Sequence, residues 1–122
     1  VPKSRWCLQG HLDPDLDELL EEDLLSSPTI SLSGGKVGLQ CAATLQLKLL
    51  FGDVGNAFCQ SDKLSRRRGK IYARIPSEGL AGLAGGTTVE ILVGVFGLNG
   101  SPADFYRSLT QKLSSAGWKS HE

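Results

Sequence analysis

The stretch Leu45-Gln46-Leu47-Lys48-Leu49-Leu50-Phe51 restricts this chain more than any other. It opens the longest candidate for an apolar element, around Leu45–Val54, which Gln46, Lys48 and Asp53 interrupt well short of membrane-spanning length. Its length and apolarity predict a central strand over Leu47–Val54. Such a strand delivers a single carboxylate, Asp53, near its end, and an aromatic, Phe58, one short turn later. A lone acid there is costly unless a metal ion or a cation compensates its charge. Gly55, without a side chain, lets a ligand approach the backbone closely.

The other segments supply both kinds of element. Lys3–Gln9 alternates polar and apolar residues and reads as a strand. Asp13-Pro14 opens an acidic helix, with Leu16, Leu19, Leu20, Leu24 and Leu25 at helical spacing, and Ser26–Thr29 ends it. The leucines of that helix point inward and its acids stay in water. Ser33 is the expected cap of a second helix running from Gly34 to about Leu45, weakened by its glycines. Asn56–Gln60 reads as a helical turn, and Ser61–Gly69 as a polar loop. Lys70–Ile75 and Thr88–Val93 are strands, joined through a flexible low-complexity connection, Gly79–Gly86. Gly100 or Ser101 opens the last helix, Pro102 lies in its first turn, Phe105, Leu109 and Leu113 form its inner stripe, and Gly117 stops it. Strands mixed with helices point to an α+β layered domain with an antiparallel sheet packed on helices.

Charge is balanced at 13 basic and 13 acidic side chains, but unevenly placed. Seven acids crowd residues 13–23, while residues 24–122 carry eleven Lys and Arg against six acids, a net of +5. A basic body with one acidic patch suits an anionic ligand, and an ordinary mixed surface is the alternative. Cys7, Cys41 and Cys59 have no repeated spacing, which favours free thiols in a reducing, intracellular setting. The missing initial Met and the end at His121-Glu122 suggest a piece of a longer chain.

A second block changes the weight of the first. Phe96-Gly97-Leu98-Asn99-Gly100-Ser101-Pro102 is a glycine-rich turn opening a helix, where free amides suit phosphate. Phe51–Phe58 resembles the first palm motif of reverse transcriptases. Phe96–Tyr106 resembles the second, most closely the Tyr-Gly-Leu-x-x-x-Pro form of Ty1/copia retrotransposons. Phe96 stands at the tyrosine, Gly97-Leu98 at the Gly-Leu pair and Pro102 at the proline, with Phe105 and Tyr106 as the aromatics and Gly117-Trp118 following. Lys3-Ser4-Arg5 resembles the Lys-Ala-Arg of the fingers strand, Ser27-Pro28-Thr29 the Ser-Pro-Thr before the family's helix, and Ile71–Pro76 the strand after the first palm motif.

The resemblance implies a partial right-hand polymerase over residues 1–122, with fingers to about residue 45 and a palm portion from about 46. It implies an RNA-directed DNA polymerase, a nucleotidyltransferase using two magnesium ions on deoxynucleotides and an RNA or DNA template-primer. Asp53 and the carbonyl of Val54 would bind metal, with Asp53 catalytic. Val54 and Gly55 would cradle triphosphate, and Phe58 would gate the sugar. Lys3 and Arg5 would neutralise phosphates. Phe96, Gly97, Ser101 and Pro102 would shape the nucleotide and template pocket. The remainder of a polymerase polyprotein would be its partner, in cytoplasmic virus-like particles or the nucleus, without membrane attachment.

The chain departs from the family in lacking lysines before Phe96 and in having no adjacent Asp-Asp. The Tyr-x-Asp-Asp hairpin would lie beyond Glu122, so this polypeptide alone is expected not to polymerise DNA. The rival reading is a catalytically dead relic acting as a nucleic-acid-binding or interaction module. Other signals carry less. Ser33-Gly34-Gly35-Lys36 lacks the companions of a β-lactamase or P-loop site, and Cys7 with His11 lacks a second ligand pair for zinc. Arg66-Arg67-Arg68 is read as a solvated loop, with template phosphates as the alternative.

Overall fold

The computed structural model describes residues 6–119. It contains helices α1 (Leu16–Glu21), α2 (Leu32–Thr44) and α3 (Ser101–Ser115), and strands β1 (Ile71–Arg74) and β2 (Thr88–Ile91). Two 3₁₀ turns, Gly10–Leu12 and Ala57–Gln60, complete the described elements. The architecture is a small α+β domain built on a two-stranded antiparallel sheet.

The alternation that predicts β1 and β2 is the alternation that builds the core. Ile71 pairs with Ile91 and Ala73 with Val89, so apolar residues of both strands share one face. Ile71, Ile91 and Leu98 are buried there, with Trp6, Leu8, Leu64, Ala73, Val89 and Val95 packed against them. Loop residues and the N-terminal segment cover this face. Among the described residues no helix lies across the sheet, which corrects the expected sheet-on-helix layering. The strand expected from Lys3 is absent over Trp6–Gln9, although the Leu8 amide donates to the Phe96 carbonyl at 2.8 Å.

The connection between the strands is built rather than loose. The Ile75 amide donates to Thr87 and the Gly86 amide to Ile75, at 2.8 and 3.0 Å, extending the ladder past Arg74. Leu80 and Leu83 exchange amide–carbonyl bonds at 3.1 and 2.9 Å.

Helix ends follow local chemistry. α2 begins two residues earlier than the sequence suggests, because Ser31, not Ser33, is the cap, its hydroxyl accepting from the Gly34 amide at 3.0 Å. At α1 the Asp13 carboxylate accepts from the Asp15 amide at 3.0 Å, and the helix is short. α3 has Gly100 at its N-cap and proline in its first turn, as expected. It closes at Gly117, where the Trp118 amide reaches the Leu113 carbonyl at 3.0 Å.

The largest correction concerns residues 47–54. No strand forms there, and Leu50 and Phe51 are 96% and 88% exposed. α2 likewise contacts no other helix or strand among the described residues, and Val37 and Leu39 on it face solvent. An apolar run becomes a central strand only if neighbouring strands offer it a ladder. β1 and β2 pair only with each other, and residues 47–54 join neither of their outer edges.

Candidate functional site

The turn after Asp53 is set by Asn56. Its φ of 51° is left-handed, a conformation in which asparagine is unusually tolerated. The chain then enters the 3₁₀ turn Ala57–Gln60, and the Gln60 side-chain amide folds back to donate to the Gly55 carbonyl at 2.7 Å. Phe58 is thereby aimed inward and half-buried.

It meets the second block. The Phe58 ring packs edge-on against Phe96, centroids 5.2 Å apart, and against Phe105 at 6.4 Å. Gly94 lies in the same junction. A Cβ there would stand 2.9 Å from the Phe58 carbonyl oxygen, 3.1 Å from Ser61 Oγ and 3.2 Å from Ser101 Oγ. Only a residue without a side chain lets the three segments meet.

Buried hydroxyls fasten this junction. Ser61 Oγ accepts from the Gly94 amide at 3.1 Å, Ser101 Oγ from the Val95 amide at 3.2 Å, and Ser108 Oγ from the Asp62 amide at 2.9 Å. All three serines are buried, Ser101 to 1% exposure. Backbone donors between elements are thus satisfied by side chains where no ladder reaches them.

Gly97 has a different reason for being glycine. Its φ is +82°, and a Cβ would collide with the Leu8 backbone. The N-terminal segment crosses directly over this turn, and the Asn99 side-chain amide donates to the Gly10 carbonyl to hold it.

The structure therefore brings together Phe58, Phe96 and Ser101, with Gly97 and Pro102 on the same turn and helix start. It does not bring Asp53, Val54 and Gly55 into that junction. All three are exposed, and Asp53 makes no hydrogen bond or ion pair among the described residues. Lys3 and Arg5 lie outside the described residues. Gly94, Ser61 and Ser108 were not anticipated. A hydroxyl's burial has no sequence signal of its own, though a glycine between Val93 and Val95 hints at close approach.

No group of three His, Cys, Asp or Glu side chains able to hold a metal occurs among the described residues. Asp53 is a lone carboxylate in solvent, so these residues do not by themselves fit a magnesium cage. The three cysteines are exposed and free. No helix among the described residues is long and apolar enough to cross a membrane. Comparison with known proteins finds no match, whether among protein families, curated proteins or solved structures.

Proposed function

We propose that this chain is the fingers and first palm portion of a Ty1/copia-type reverse transcriptase, acting in template-directed DNA synthesis within a longer enzyme. One observation supports this reading above the others. The two blocks that carry the resemblance, far apart in sequence, meet through Phe58, Phe96 and Phe105.

In this proposal Phe58 and Phe96 form an aromatic floor beside the nucleotide sugar, and the turn at Gly97 leads the template backbone toward α3. Asp53 and the Val54 carbonyl would hold a metal only together with carboxylates from the rest of the enzyme, and Gly55 would lie beside triphosphate. Lys3 and Arg5 supply positive charge to the same phosphates. Magnesium would stabilise the attacking and leaving oxygens. It belongs to the full enzyme, whose remaining carboxylates the proposal places after residue 122. RNA or DNA template-primer and deoxynucleotides are the substrates.

The test has two parts. Primer extension by the chain as it stands is expected to show nothing above an Asp53→Ala/Phe58→Ala control. Reading the coding sequence past Glu122 is expected to show Tyr-x-Asp-Asp within a few dozen residues. Clear extension activity refutes the predicted inactivity of this piece, and an open frame without that motif overturns the polymerase assignment.

A second reading is favoured by the exposed segment 45–54, where Asp53 hangs free of the sheet. A relic that lost its catalytic hairpin would keep the junction as a nucleic-acid-binding or interaction module. A stop codon soon after Glu122 selects it.

A further inference from the structure

The small sheet has an open side. Amides alternate direction along a strand, and the Ile75 amide donates toward β2, to the Thr87 carbonyl at 2.8 Å. The amides and carbonyls of Tyr72 and Arg74 therefore face away from β2, and no described residue bonds to them. The outer side of β2 is partly closed, because the Leu64 amide donates to the Leu92 carbonyl there at 2.9 Å.

A groove of about 530 Å³ runs between β1 and residues 6–14. Trp6, Leu8, Ile71, Ile75 and Leu98 line it with apolar side chains. Its charged residues are Asp13 and Arg74. Arg74 turns its Nε to the Gly86 carbonyl at 3.2 Å, while Asp13 accepts from the Asp15 amide and meets no cation among the described residues. An unpaired edge beside such a groove suits an extended segment, whose backbone continues the ladder and whose side chains fill the space.

The chain itself carries a segment of that kind. Leu47-Lys48-Leu49-Leu50-Phe51 is exposed throughout, forms neither strand nor helix, and is as long as Ile71–Ile75. As a strand it would place Leu47, Leu49 and Phe51 on one face. Lys48 supplies the charge opposite to that of Asp13. The chain exposes 9894 Å² where roughly 6,300 Å² is usual for its mass, an excess well beyond the about 800 Å² that each partner hides in a stable dimer.

We propose that two copies of this chain exchange strands, Leu47–Phe51 of each adding to the Tyr72–Arg74 edge of the other. Leu47, Leu49 and Phe51 enter the groove. Reciprocal exchange closes a two-fold dimer and leaves no run free to recruit a third copy. Docking joins molecules that are already folded, so variants in the run keep the monomer's thermal stability at dilutions where the monomer prevails. None of this depends on the polymerase reading, so failed primer extension leaves it standing.

Sedimentation velocity of the full chain over a concentration series reads the dimer, and hydrogen exchange reads the edge. The Tyr72 and Arg74 amides are expected to exchange at least about tenfold more slowly where the dimer dominates. Leu49→Pro/Leu50→Pro removes a ladder donor from the run in either strand direction, and Tyr72→Pro removes one from the edge without touching the β1–β2 ladder. Each is expected to weaken dimerisation at least about tenfold. The control, Val37→Ser/Leu39→Ser, trims equally exposed apolar surface on α2 and is expected to change it no more than about twofold. Should Tyr72→Pro fail to fold, the run variant and the exchange of the parent's edge amides still decide. A parent that stays monomeric, or edge amides protected equally at every dilution, overturns the proposal. So does equal weakening by the α2 control, or dimerisation that survives loss of the run's donors.

Discussion

Gly97 and Gly117 both sit at positive φ, yet they answer to different forces. Nothing lies within 4 Å of a Cβ at Gly117, so only backbone strain opposes a side chain there. Gly117→Ala is expected to destabilise by about 1 kcal/mol. At Gly97 the same strain is joined by collision with the Leu8 backbone, which has no flexible end to move. Gly97→Ala is expected to exceed about 2 kcal/mol in urea titration. Equal losses at both positions would remove the crossing segment from the account of this glycine. Charge gives a second test at this scale. The Lys70 ammonium is held above its ordinary range by its hydrogen bond to Glu90 at 3.0 Å, with Glu90's charge next and Tyr72 adding to it. A raised lysine contributes stability that is fully present below its unfolded pKa of about 10.4 and is lost as pH rises through the folded value. The urea midpoint should therefore owe nothing to Lys70 titration between about pH 6 and 9, and should carry an alkaline decline that Lys70→Met removes. Glu78 is lowered by its own amide and then by the Ser77 hydroxyl. Its small contribution is present above the unfolded pKa and is lost as acid carries the pH down through the folded one.

At the scale of elements, local signals were legible and long-range ones were not. Pro102, Gly100 and Gly117 bound α3 because caps act within a few residues. The β1 and β2 pattern survived because alternation already separates a core face from a wet one. Ser31 displaced Ser33 because two serines compete for one cap and sequence does not rank them. Leu47–Val54 forms no strand because apolarity names a demand for burial, while which segment reaches a sheet edge is set by the rest of the chain. In the candidate site, Phe58 and Phe96 belong to the two blocks singled out in the sequence, and their rings meet. The serines that hold the turn to α3 were invisible, since a buried hydroxyl and a wet one are written alike. Ser61→Ala is expected to destabilise by about 1–3 kcal/mol, because it strands the buried Gly94 amide. Hydrogen exchange at the Gly94 amide would check it, and unchanged protection would mean another acceptor serves. α2 closes on Gln46 at φ 52°, with the Leu47 amide bonded to the Ala42 carbonyl at 2.8 Å. Gln46→Gly is expected to raise helix content modestly, by relief of up to about 1 kcal/mol of strain, read by circular dichroism.

For the whole molecule, area decides. A folded monomer of 13.0 kDa exposes roughly 6,300 Å² by the usual scaling, and this chain exposes 9894 Å². Much of the excess is apolar and contiguous in sequence, from Ile30 and Leu32 through Val37 and Leu39 to Leu50 and Phe51. Surface of that kind promotes association. The chain is expected to bind a hydrophobic dye and to self-associate with rising concentration. Leu50→Lys/Phe51→Lys should reduce both without moving the thermal midpoint, since neither residue touches the sheet core. A fall in that midpoint would mean the segment does pack.

The independence of α2 has one more consequence. Residues 6–19 are fastened to the other end of the chain, through Leu8 to Phe96, Asn99 to Gly10 and Arg68 to Pro14. Between them, α2 touches no other helix or strand among the described residues, and residues 45–54 lie exposed. A protease clipping near Leu50 would sever the polypeptide yet leave both pieces holding hands.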